Sequence, residues 1–120
     1  MFSETVLDHF RNPRNAGELA NADATVEVAN PVCGDVLKLS ARLLDGRIAE
    51  ARFLCRGCTT AIACASLLTE ALQGKSVAEL SAISPEEISS ALGGLSQATF
   101  HAAQLAADGA AALKNSLTSR

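Results

Sequence analysis

The period at which apolar residues recur changes along the chain, and each change marks an element. Val6 and Phe10 stand one helical turn apart with Leu7 on the same stripe, which predicts a short helix over Glu4–Phe10. The run Asn12-Pro13-Arg14-Asn15-Ala16-Gly17 ends it, because Pro and Gly interrupt a helix and Asn tolerates turn geometry. Thr25–Asn30 then alternates with period two and predicts a strand closed by Pro31. Val36–Leu44 predicts a second strand, in which Lys38, Ser40 and Arg42 interrupt the apolar residues. Asp45-Gly46 is a hairpin signal. Ile48–Cys55 is the returning strand, with Ala49, Ala51, Phe53 and Cys55 expected on one face and Glu50, Arg52 and Leu54 on the other.

From Thr59 the period becomes helical. Ala61, Ala65, Leu68 and Leu72 form a stripe, Thr59 or Thr60 can cap it and Gly74 can stop it. Ser76-Val77-Ala78-Glu79 has the form of a capping box, and Ser84-Pro85-Glu86-Glu87 opens another helix that Gly93-Gly94 ends. A last helix is predicted over about residues 97–117, with Gly109 weakening it by about 1 kcal/mol relative to Ala. Hairpin-linked strands followed by helices predict an α+β class, a three-stranded antiparallel sheet packed with helices and a helical C-terminal half. The 120 residues are one domain's worth of length, so a single domain over residues 1–120 is expected.

Composition narrows the function. A net charge of −3 argues against a nucleic-acid partner, which would call for a basic face. No apolar run approaches the ~20 residues of a membrane span. Met1-Phe2-Ser3-Glu4 lacks the basic start of a signal peptide, so the expected compartment is the cytoplasm. There the 4 cysteines read as metal ligands, reactive thiols or core residues and not as a disulfide framework.

Cys33-Gly34-Asp35 places a thiol and a carboxylate two residues apart across a flexible Gly; a plain turn with a solvated Asp is the competing reading. Cys58 falls at a strand-to-helix junction, where a helix N-terminus favours the thiolate form that binds metal or accepts sulfur, so it is expected to be the most reactive thiol. Cys55 pairs with Cys58 as C-x2-C, but one such pair is a weak metal signal, and its strand face suits a buried structural thiol. Cys64 lies on the apolar stripe and reads as core. His101 shares a polar helix face with Gln97, Gln104 and Asp108, and His9 has no evident partner. Cys33, Asp35, Cys58 and His101 together supply two thiolates, a carboxylate and an imidazole, a set able to close a zinc site or to ligate a small iron–sulfur cluster.

These blocks resemble the IscU/NifU N-terminal type of iron–sulfur cluster assembly scaffold. The likeness is carried by Glu4–Phe10 with Asn12–Asn15, by Cys33-Gly34-Asp35, by 45–53 with Gly57–Ala63, and by Leu67–Glu70 with Gly74–Ser76. It implies an IscU/SufE-like fold and a scaffold, not an enzyme, that binds iron or a labile [2Fe–2S] cluster. Cys33, Asp35, Cys58 and His101 would be its ligands. It implies a cysteine desulfurase as sulfur source and apo-proteins as recipients. Two departures stand out. The family's third cysteine follows the histidine, and here that residue is Ala102. The proline-and-lysine segment read by a dedicated Hsp70-type chaperone is replaced by Leu95-Ser96-Gln97-Ala98-Thr99, which weakens the case for that partner. The first departure opens an alternative: a zinc-binding or apo paralogue that docks on a desulfurase without assembling clusters. Cys55 is a candidate substitute thiolate if it can turn from the core face toward the site.

Overall fold

The computed structural model describes residues 2–31 and 34–119, so Cys33 lies outside the described residues. The element order is α1 (Glu4–Arg11), β1 (Ala24–Asn30), β2 (Asp35–Leu44), β3 (Arg47–Arg56), α2 (Thr59–Leu72), a 3-10 turn (Ala78–Ala82), α3 (Pro85–Ala91) and α4 (Phe100–Thr118). The strands form one antiparallel sheet in the order β1-β2-β3, which is the predicted α+β arrangement.

Side chains alternate across the sheet with period two. Asp35, Leu37, Leu39 and Ala41 of β2 are all buried, and Val36, Lys38 and Arg42 on the opposite face are only partly so. Leu37, Leu39 and Ala41 stand opposite Cys55, Phe53 and Ala51, so these residues of β3 face the same side. Helices α2 and α4 cover that side. Leu37, Leu39, Leu68, Leu72 and Leu113 are at most 1% exposed, and each contributes about 1.5–3 kcal/mol of hydrophobic stabilisation.

Four expectations are revised. Strict alternation would set Ile48 with Glu50, yet Ile48 is buried, because the register shifts between Arg42 and Leu43. Arg42 pairs with Glu50 and Leu43 with Ile48, so Ala49 is the extra residue of a bulge that returns Ile48 to the core face. In α1 the buried residues are Val6 and His9, and Phe10 is 40% exposed. A bare apolar stripe does not reveal that a polar ring is the residue that packs. Helix α2 buries nine of its fourteen residues and not a single stripe, since α1 and α4 as well as β3 pack against it. Helix α4 begins at Phe100, so Gln97 lies in the turn before it.

Caps follow the sequence closely. Ser84 Oγ accepts from the Glu87 N–H at 3.1 Å and heads α3. Ser76 and Glu79 form a reciprocal capping box, with Glu79 Oε1 accepting from the Ser76 N–H at 2.8 Å, but it heads a 3-10 turn. Asp45 and Gly46 both have positive φ, as the tight hairpin between β2 and β3 requires. Gly109 of α4 rests on the sheet: a Cβ there would fall 2.9 Å from Leu39 Cδ1 and 3.0 Å from Leu37 Cδ2.

Candidate metal centre

At one end of the helix-covered face the sheet, the start of α2 and the start of α4 meet. Asp35 is the first residue of β2 and pairs with Asn30. It is 6% exposed, which sets aside the reading of a solvated turn residue. Its burial depends on Gly57. A Cβ on Gly57 would lie 2.9 Å from Asp35 Cγ and Oδ1 and 3.1 Å from the Ala61 Cβ. Gly57 therefore permits a close approach, and the group that approaches is the carboxylate of a neighbouring strand.

Cys58 is the N-cap of α2, taking the place expected for a Thr. Its extended backbone (φ −73°, ψ 171°) turns Sγ back over the helix end, where it accepts from the Ala61 N–H at 3.4 Å. The same sulfur lies 3.9 Å from Asp35 Oδ2, and Cys58 is exposed. His101, the second residue of α4, is half-buried and reaches the same point from the other side. One donor atom each from Asp35, Cys58 and His101 lie within 4.8 Å of one another. In a tetrahedral shell with bonds of 2.0–2.3 Å, donors stand about 3.3–3.8 Å apart, so side-chain adjustment alone closes the gap. The oxygen, sulfur and nitrogen donors suit a borderline or soft transition metal better than a hard cation.

Three of the four expected donors are thus adjacent, and the fourth, Cys33, lies outside the described residues. Beside His101 a groove of about 340 Å³ is lined by Asn30, Pro31, Phe100, Gln104 and Asp108 among others. Gln104 donates to Asp108 at 2.9 Å along its rim. The other two described cysteines differ sharply from Cys58. Cys64 is fully buried, and burial pushes its thiol up to about 12. Cys55 is half-buried, and burial first, then the charges of Asp35 and Cys58, push its thiol up to about 11. Cys64 is core, as expected. Cys55 is neither a sealed core residue nor one of the three adjacent donors.

Sequence reasoning missed the environment of His9. Its ring is 5% exposed, Nδ1 is 2.8 Å from Ser66 Oγ, and Nε2 is 3.6 Å from Glu70. No spacing rule links residues 9 and 66; only the docking of α1 on α2 does.

Residues 1–118 match the family model of the NifU-like N terminal domain. The chain is 43% identical over 108 residues to the iron-sulfur cluster assembly scaffold protein IscU 1 of Archaeoglobus fulgidus, covering 90% of this chain and 71% of that protein. It is 46% identical over 95 residues to the iron-sulfur cluster assembly scaffold protein IscU of Escherichia coli K12, covering 76% of this chain and 74% of that one. The crystal structure of the N-terminal part of a NifU-like protein from Brucella abortus superposes with a TM-score of 0.80 at 18% identity, covering 98% of this chain and 94% of that one, a likeness of fold. With a family model spanning nearly all its length and relatives above two-fifths identity, the chain belongs to the NifU-like N-terminal domain family.

Proposed function

We propose that this protein is a scaffold on which iron–sulfur clusters are assembled, and that Cys33, Asp35, Cys58 and His101 hold iron or a labile [2Fe–2S] cluster as cargo. The observation that carries the reading is the approach of Asp35, Cys58 and His101, from three separate elements, to within 4.8 Å. The relatives named as cluster assembly scaffolds support the kind of cargo.

The donor set suits temporary holding. Thiolates bind cluster iron firmly, whereas a carboxylate is a harder and more easily displaced ligand. An imidazole in place of a thiolate raises a cluster's potential. Cys58 is the exposed donor and therefore the one a sulfur-delivering cysteine desulfurase can reach; Asp35 is held behind it by the strand. The chain binds, positions and hands its cargo to apo-proteins, and carries out no catalytic turnover of its own.

Anaerobic incubation with iron(II), cysteine, a desulfurase and excess dithiothreitol, the reductant that takes the delivered sulfur to sulfide, tests this. The expected product carries iron and acid-labile sulfide with visible absorption, and Cys58→Ala loses both. No iron and no sulfide under conditions that load a three-cysteine relative would overturn the reading. A second reading follows from Ala102, whose buried methyl group offers no donor beside His101: a zinc-bound paralogue that docks on the desulfurase without assembling clusters. Stoichiometric zinc without sulfide in protein purified without oxygen would favour it.

A further inference from the structure

The cysteine pair Cys55 and Cys58 is only half used by the site described above. Cys58 is a donor; Cys55 stands three residues earlier on β3. The register settles where its side chain points. Cys55 is directly opposite Leu37, so it shares the face of Leu37, and Asp35, two residues along β2, is on that face as well. Cys55 therefore needs no turn away from the core face to meet the site, because the site is the end of that face. Asp35 and Cys55 are diagonal cross-strand neighbours, a relation that puts side chains within about 7–8 Å.

Three more observations bear on Cys55. Cys55 is half-buried and not sealed like Leu37 opposite it, as befits a side chain near the end of that face. Its strand is about to end: only the Val36–Arg56 pair follows before the sheet stops and Gly57 begins the junction. The backbone at Cys55 is thus held on one side only by the last ladder pair. Finally, Ala102 supplies no thiolate from α4, so a sulfur-rich shell has to draw on the sheet.

We propose that Cys55 is a second sheet-borne ligand of this centre, exchanging with Asp35 when the bound ion is thiophilic. The inference rests on the scaffold reading and gives it an order of events. Iron arriving as a simple ion takes the carboxylate of Asp35. Iron bridged by sulfide, which prefers sulfur, takes Cys55. On ligation Cys55 releases its thiol proton to solvent and Asp35 leaves as a free carboxylate; no electrons move. A carboxylate is the harder donor and a thiolate the softer, so a metal with little affinity for sulfur stays with Asp35.

Cobalt(II) added to the metal-free protein without oxygen tests the assignment, since the near-ultraviolet sulfur-to-cobalt absorption grows with the number of bound thiolates. Cys55→Ser is expected to lower that absorption by at least about a third, the share of one thiolate in three, while Asp35→Asn leaves it unchanged. Equal absorption in Cys55→Ser and the natural protein would overturn the proposal and leave the scaffold reading standing. Failure to bind cobalt at all, together with failure to build a cluster, would overturn both. Should Cys55→Ser not fold, X-ray absorption on the zinc-loaded natural protein reads the same quantity: three sulfur neighbours at ~2.3 Å support the swap and two refute it.

Discussion

Two histidines, His9 and His101, show how differently two junctions of the molecule are finished. His9 is sealed between α1 and α2 with each ring nitrogen near a partner, Ser66 on one side and Glu70 on the other. Ser66 Oγ also accepts the Arg14 backbone N–H at 2.8 Å. Thr69 Oγ1 donates to the Ser66 carbonyl at 2.8 Å and accepts from Asn15 Nδ2 at 3.2 Å. This junction is tightly bonded: Ser66, Thr69, Asn15 and the His9 Nδ1 all hydrogen-bond to other parts of the chain. His101 stands half-buried beside a carboxylate and an exposed thiol that lie 3.9 Å apart, a long and weak contact. There the chain gathers an oxygen, a sulfur and a nitrogen donor at one partly open point. A tightly bonded junction stabilises the fold; a loosely bonded one that solvent can reach is available to a guest.

The contrast should be widest in thiol chemistry. In metal-free protein, iodoacetamide is expected to modify Cys58 about 100-fold or more faster than Cys64, which is fully buried with its thiol pushed up to about 12; Cys55, at about 11 and half-buried, falls between. Peptide mapping by mass spectrometry reads the order, and faster labelling of Cys64 would contradict the packing of α2. A second large effect is expected at Gly57. Gly57→Ala drives a methyl group into Asp35, so the carboxylate must leave the donor cluster. Affinity for iron(II), the ion that takes the carboxylate, is expected to fall about 10–100-fold, as for loss of a group that orients a ligand. Competition with a chelator measures it, and unchanged affinity would mean that Asp35 is no ligand.

The closed junction answers to the opposite pair of measurements. Ser66→Ala removes the oxygen shared by the buried His9 Nδ1 and the part-buried Arg14 N–H and leaves both without that partner. The expected cost is about 1–3 kcal/mol in urea unfolding, with metal affinity unchanged. A variant that loses metal but not stability would reverse the roles assigned to the two junctions.

Much of this was readable in the chain because the signals are local. The Asp45-Gly46 turn, the Ser84 cap and the alternation of 36–44 act over a few residues, and each sits where it was expected. The donor types Asp35, Cys58 and His101 were readable as chemistry, but their meeting depends on where α4 is laid across the sheet. The bulge at Ala49 was hidden because one inserted residue leaves composition and period nearly intact. Gly109 was misread in kind. Propensity alone counts it as a weakness of about 1 kcal/mol, whereas the structure shows a helix pressed onto Leu37 and Leu39 with no room for a Cβ. Gly109→Ala is therefore expected to lower stability by about 1 kcal/mol net, overpacking outweighing the helix gain. A rise in the unfolding midpoint would show that the sheet yields.

The smallest effect expected is a dependence of stability on pH that belongs to His9. Burial, and secondarily the Arg14 guanidinium, hold its pKa below the ordinary histidine value; Glu70 and Asp8 pull the other way and do not compensate. The folded state therefore takes up a proton less readily than the unfolded chain, where the group titrates near 6.5. Stability from this source is complete above that pH and is lost as the pH falls through the lower folded value. Urea unfolding of chelator-treated protein at pH 7.5 and 5.5, a window above most carboxylate titration, should show a lower midpoint at the acid end. His9→Gln, which can still meet Ser66, should flatten the difference; His101→Gln, altering the open end, should leave it in place. If His101→Gln flattens it and His9→Gln does not, the acid-sensitive contact is at the donor cluster, and the closed junction is not the element that proton binding loosens.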